Sequence, residues 1–397
     1  MTLNFKILFL GFLILFTGKY SQAQKTSFKS LVYEIQSVQK QFVPDKRTAI
    51  LEISLKDTIN RIITVKGETN LPEGKTRILK FLSEKKIQFT DSIRVLPDAS
   101  LGEKTWGLAT LSVSNIRAKA EDAAELVSQA LMGTPMKILD YREGWYKVQT
   151  PDNYIGWMGD KEFQRITEPQ LELWRKSNRY FFNRITGNVF NSTDKKKTVI
   201  SDLVLGDLLE VVSESKGYLK VRFPDGRSGF VKKKDCISWN EWISRKPNAN
   251  DIIETATQMM GIPYLWGGAS AKATDCSGLT KITFYTQGII LTRDASQQAR
   301  YGEHPDFTNY NNLQPADLLF FGRNSQHITH VGIYLGKEEY LNASGYVRVN
   351  SLDPKDPRYK LTEKKNLVAA GRILNSLNTD GIVLVKDHPW YSINSTK

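Results

Sequence analysis

Residues 263–279 read Pro-Tyr-Leu-Trp-Gly-Gly-Ala-Ser-Ala-Lys-Ala-Thr-Asp-Cys-Ser-Gly-Leu, and this stretch decides how the rest of the chain is understood. Asp275 is a good helix N-cap, and the residues after it predict one helix over 276–287 that stops at Gly288. The Cys276 sulfur then lies in the first helical turn, where free backbone N–H groups and the helix dipole favour the thiolate. Glycines at 267, 268 and 278 allow backbone and substrate to come close to it. Two readings stand on this segment alone: a nucleophile, or a buried structural cysteine behaving as a small hydrophobe.

The chain around it has 397 residues, room for two to four domains with real cores. Residues 1–23 carry the marks of a signal peptide: Lys6, the apolar run from Ile7 to Phe16, then a small-residue end at Ser-Gln-Ala. That run is too short to span a bilayer. No cysteine lies beside the cleavage pattern, so the expectation is an exported protein, periplasmic or extracellular, without a lipid anchor or a membrane span in its mature form. Removing Lys6 and Lys19 takes the formal charge from +13 to +11. Such a basic excess suits an anionic partner, and with export an envelope polymer fits better than nucleic acid. Cys236 and Cys276 are the only cysteines. A bridge between them would consume the proposed nucleophile, and with four histidines so spaced they form no recognisable zinc site. Neither a metal nor a cofactor is expected.

Upstream, the chain repeats itself. Gly144-Trp-Tyr-Lys-Val-Gln-Thr-Pro-Asp-Asn-Tyr-Ile-Gly-Trp lines up with Gly217-Tyr-Leu-Lys-Val-Arg-Phe-Pro-Asp-Gly-Arg-Ser-Gly-Phe, 73 residues later. Each copy predicts a strand, a Pro-Asp turn and a second strand opening Gly-aromatic. Two small β-barrels follow, at 104–167 and 186–240, with Trp157 and Phe230 as core and a helical linker over 168–184. Residues 24–103 pattern as a small α+β domain: helix 31–42, strand 46–55, strand 59–66, helix 75–86 and an extended run 87–96. That domain carries no chemical signature. Residues 375–397 form a C-terminal extension.

A cysteine nucleophile needs a base, and the base an orienting partner. His330 opens the apolar strand pattern His-Val-Gly-Ile-Tyr-Leu-Gly, and Asn342, twelve residues on, sits in a returning strand. With an even separation, both side chains share a face only if the hairpin holds a bulge or an odd-length loop. His327 reads as loop. His304 and His388 stand beside prolines and read as surface residues.

Residues 248–374 resemble the NlpC family of papain-like cell-wall cysteine peptidases. The resemblance rests on Pro263-Tyr-Leu-Trp-Gly-Gly, Asp275-Cys-Ser-Gly, Leu313-Gln-Pro-Ala-Asp-Leu-Leu-Phe-Phe, His330-Val-Gly-Ile-Tyr and the Ala-Ser after Asn342. The two repeats resemble bacterial SH3-like domains, on Asn115-Ile-Arg, the Gln129-Ala-Leu-Met-Gly run and Tyr154-Ile-Gly-Trp in the first. The implied architecture is α+β: a papain-like NlpC-type catalytic domain preceded by two SH3-like barrels and the small N-terminal domain.

The resemblance implies roles for individual positions. Cys276 is the nucleophile, His330 the base and Asn342 the orienter, while Tyr264 helps hold the oxyanion. Asp275, Ser277 and Ser296 face substrate. The whole layout is similar to γ-D-glutamyl-L-diamino acid endopeptidases, in which the first barrel closes one end of the cleft on a free amino-terminal L-alanine. Tyr154 matches a contributing tyrosine there. The acidic partner expected at position 127 is a valine, with Glu125 two residues away. The implied substrate is a peptidoglycan stem peptide, tripeptide or tetrapeptide, cut by a monomer. An amidase or acyltransferase on the same fold, and a wall-binding protein without activity, are the competing functions.

Overall fold

The computed structural model describes residues 28–56 and 62–392; the expected signal peptide lies outside the described residues. The chain divides into two compact units, one ending at Ala99 and one beginning at Ser100.

In the first unit a helix over 28–42 precedes the strand Leu51–Lys56. That strand pairs antiparallel with Ile63–Thr69, which pairs parallel with Phe89–Val95. The parallel pair is joined through the helix Pro72–Glu84, whose fixed-φ proline stands at its start. Ile78 and Leu82 of that helix are fully buried against the sheet residue Val65. This matches the α+β pattern read from the sequence.

The second unit opens with a seven-stranded antiparallel sheet between Trp106 and Ile166. Its core holds Met136, Ile138, Val148 and Met158. Trp157 is buried as expected, with Arg142 and Lys147 over its ring. Thr167 then caps the helix Glu168–Lys176 through a reciprocal capping box with Gln170. The linker is helical only this far. Arg179–Phe182 is a strand that joins the second seven-stranded sheet, between the strands Leu208–Ser215 and Cys236–Ser238. Alternating apolar residues there pack on the second barrel's own core, a pull that a purely local helical pattern misses. Phe230 of that sheet is half-buried.

The catalytic region supplies a five-stranded antiparallel sheet, in the order Tyr346–Ser351, Glu339–Ser344, His327–Gly336, Leu318–Asn324, Leu367–Gly371. The helix Cys276–Tyr285 packs on the middle strand, with Leu279, Thr283 and Phe284 wholly buried. The helix ends at Tyr285, two residues short of the expected span, and the turn that follows closes at Gly288, whose φ of +69° suits glycine.

Within the second unit one apolar core runs through the barrels, the linker helix and the catalytic region. Trp106, Leu108 and Leu131 of the first barrel join Trp174 of the linker helix, Val204 and Leu208 of the second barrel, and Leu279 and Phe284 of the catalytic region. At Gly133 a Cβ would sit 2.5 Å from the Leu208 carbonyl oxygen, so the two barrels meet backbone against backbone.

The segment over 375–392 is structural. Its strand Ile382–Leu384 pairs with Ile289–Leu291, immediately after the catalytic helix. Trp390 stands edge-on to Trp106 at 5.2 Å, and Tyr391 packs on Trp174 and Trp239. His388, expected at the surface, is buried. Its Nε2–H donates to the Pro151 carbonyl at 3.0 Å and its Nδ1 accepts from the Trp390 amide at 3.2 Å. Burial in this aromatic setting pushes its pKa down to about 4.

Candidate active site

Cys276 is the first residue of its helix, and Asp275 caps it by accepting from the Gly278 amide at 2.7 Å. The same carboxylate accepts from the Gly267 amide at 3.0 Å and from Arg293 at 2.6 and 3.1 Å. Arg293 is fully buried, and its Nη1 also donates to Ser277 Oγ at 3.0 Å. Its guanidinium therefore clamps the Gly267–Gly268 turn to the helix start. Asp275 and Ser277 are brought to the site with most of their hydrogen-bonding capacity spent inside the protein. Arg293 was visible in the sequence only as the residue before Asp294-Ala-Ser296; nothing local marks it as the partner of Asp275.

The tight glycine turn is dictated by what crosses it. A Cβ on Gly267, where φ is +78°, would lie 2.1 Å from the carbonyl oxygen of Leu126 in the first barrel. Beside it, the Trp266 indole donates to Glu125 at 2.6 Å and the Ala269 amide donates to the Gln129 side chain at 2.9 Å. Lys281 of the catalytic helix is ion-paired with the buried Asp152. The first barrel is thus fastened to both sides of the nucleophile turn. Glu125 lies there, and Tyr154 is buried in the neighbourhood of Arg293. Ser296 is half-buried in the short helix Ala295–Gln298, which packs on the histidine strand.

His330 faces Asn342 through the bulge that the even separation demands. Tyr334 pairs with Tyr340 but Gly336 with Glu339, so an extra residue is taken up at Leu335. This sets Asn342 opposite position 332, on the face of His330. Asn342 Nδ2 donates to the Arg348 carbonyl at 3.5 Å, which leaves its Oδ1 to accept from His330 Nε2–H at 3.1 Å. The Nδ1 lone pair of His330 is then the basic atom. The backbone N–H of Val331, the next residue on that strand, hydrogen-bonds the Cys276 sulfur, and so does that of Ser277.

Burial governs the electrostatics. It pushes the Cys276 thiol up to about 11, reinforced by the Asp275 charge and only partly opposed by the two backbone donors and Arg293. The helix start was expected to favour the thiolate; desolvation of a residue only 7% exposed outweighs it. Burial also lowers the His330 pKa, against the Asn342 hydrogen bond and the Glu363 carboxylate, and in the same direction as the Arg348 charge. The resting pair is a thiol beside a neutral imidazole. Tyr264 is held by a backbone bond to Gly345 at 2.9 Å, and burial together with the Cys276 and Asp275 charges pushes its pKa up to about 12. It stays a phenol, able to donate. The other cysteine, Cys236, is a free thiol raised to about 12 by burial.

The chain is similar to known proteins over both its first barrel and its catalytic region. The NlpC/P60 family model matches residues 261–366, and the bacterial dipeptidyl-peptidase Sh3 domain model matches 116–162. A gamma-D-glutamyl-L-lysine dipeptidyl-peptidase of Bacillus cereus is 30% identical over 264 residues, spanning 62% of this chain and 76% of that protein. Dipeptidyl-peptidase 6 of Lysinibacillus sphaericus is 26% identical, over 66% of this chain and 97% of its own length. Among solved structures, an NlpC/P60 family protein from Bacillus cereus superposes with a TM-score of 0.58 at 21% identity, over 67% of this chain and 99% of that one.

Proposed function

Because the chain belongs to the NlpC/P60 family of cysteine peptidases, we propose that it hydrolyses the bond between γ-D-glutamate and the L-diamino acid of peptidoglycan stem peptides. The observation that carries this is the placing of the first barrel, through Glu125, Gln129 and Asp152, against the turn that presents Cys276. A cleft closed at that end fits a short peptide with a free amino terminus. Tyr154 and Glu125 bound the amino-end site, with Asp275, Ser277 and Ser296 on its catalytic side.

In the reaction, His330 Nδ1 takes the Cys276 proton as the sulfur attacks the γ-carbonyl carbon of D-glutamate. Proton transfer accompanies attack, because the resting pair is neutral. The oxyanion is met by the Cys276 backbone N–H and the Tyr264 hydroxyl; one such donor is worth ~3 kcal/mol in the transition state. The imidazolium, held by Asn342, returns its proton to the amine of the departing diamino acid. Water then attacks the thioester, giving up its proton to His330, and the thiolate leaves and is reprotonated. Export accompanies this function; among the described residues no helix is long and apolar enough to cross a membrane.

The test is to incubate the protein with L-Ala-γ-D-Glu-diaminopimelate, with the amino end free or acetylated, and weigh the products. Release of L-Ala-γ-D-Glu from the free peptide alone is expected. Release of free L-alanine instead, or normal turnover by Cys276→Ala, overturns the assignment.

A further inference from the structure

Arg348 lies directly across from Asn342 in the neighbouring strand, and Asn342 bonds its carbonyl. It therefore shares the sheet face that carries His330. The guanidinium leans on the Tyr346 ring at 5.5 Å and, among the described residues, forms no ion pair and keeps a buried Nε with no acceptor. The other cations around the cleft are neutralised: Arg293 by Asp275, Lys281 by Asp152, Lys272 by Asp202. Leaving a desolvated guanidinium donor unsatisfied costs stability. Its positive charge also disfavours the imidazolium that catalysis must form on His330.

We propose that Arg348 is a specificity residue that binds a carboxylate of the substrate. Guanidinium and carboxylate match as a two-pronged pair, and docking one would satisfy the idle donors and remove the repulsion on His330 together. This rests on the γ-glutamyl peptidase function proposed above. A γ-linked glutamate supplies a carboxylate at its α-carbon, and a diamino acid of the diaminopimelate type supplies another on its side chain. Both are the same chemistry, and the substrate tells them apart.

The experiment compares kcat/KM for three free-amine peptides: L-Ala-γ-D-Glu-diaminopimelate, the same peptide with the glutamate α-carboxylate amidated, and the same peptide with lysine replacing diaminopimelate. Amidating or removing the carboxylate that Arg348 binds should lower wild-type kcat/KM by roughly 10- to 100-fold. Arg348→Gln should show that loss on the parent peptide and almost none on the peptide already lacking the carboxylate. Wild-type enzyme indifferent to both changes overturns the proposal even if the variant does not fold. An equal loss for Arg348→Gln on all three peptides overturns it too. Failure of wild type to cleave any of them overturns the underlying function and the proposal with it.

Discussion

The Trp266 indole N–H donates to the Glu125 carboxylate across 2.6 Å, joining the first barrel to the loop that precedes the nucleophile. Trp266 is otherwise exposed, so this bond and the Gly267–Leu126 approach fix the first barrel against the nucleophile turn. Glu125→Ala should raise KM about tenfold for a free-amine peptide while sparing kcat, the cost of one charge-assisted bond. Steady-state kinetics on free and acetylated peptides check this. An equal effect on both would show that Glu125 does not meet the amino end.

Asn342 holds His330 by a single hydrogen bond. Asn342→Ala should lower kcat by about 10- to 100-fold, the worth of a bond to a group that becomes charged. His330→Ala removes the base itself and should cost more, up to about 10,000-fold. Reversal of that order, measured as kcat on one peptide, would refute the orienting role.

Burial lowers the His330 pKa, so the base stays neutral, and competent, to lower pH than an ordinary histidine would. The acid limb of kcat/KM should fall below pH 6.5. Glu363, held by Tyr340 and Asn350, opposes this shift, whereas Arg348 adds to it and Asp275 opposes it from the helix side. Glu363→Gln should therefore move the limb further down. An upward movement in the pH–rate profile would rule this out.

His388 is neutral when folded, with a pKa near 4 against 6.5 for an ordinary histidine. Acid protonates it preferentially in the unfolded chain. Its contribution is complete above pH 6.5 and is lost as pH falls towards 4, on the order of 3 kcal/mol. Melting temperature should decline over that window, and the decline should be shallower in His388→Gln. A variant as acid-sensitive as wild type would place the titration elsewhere.

Much of this molecule was legible in the residues. The Gly-aromatic repeat marked the barrels because a strand pair with its turn is a local object. Asp275 announced the helix, and the spacing of His330 and Asn342 required the bulge found at Leu335. Arg293 and His388 were not legible in the same way. The carboxylate of Asp275 and the carbonyl of Pro151, which explain their burial, lie 18 and 237 residues away. The burial of Cys276 was equally hidden. A helix start is written in sequence, but the desolvation that overrides it comes from packing.

The tail from Ile382 to Tyr391 binds the catalytic helix's continuation, the first barrel and the linker helix together. The barrels are consequently not interchangeable cassettes. A chimera that imports a first barrel from a relative must bring a matching tail, or replace Trp106 and the Pro151 turn with surfaces that accept this one. Recombination between such enzymes should preserve both ends of the unit as a pair, although some 220 residues of sequence separate them.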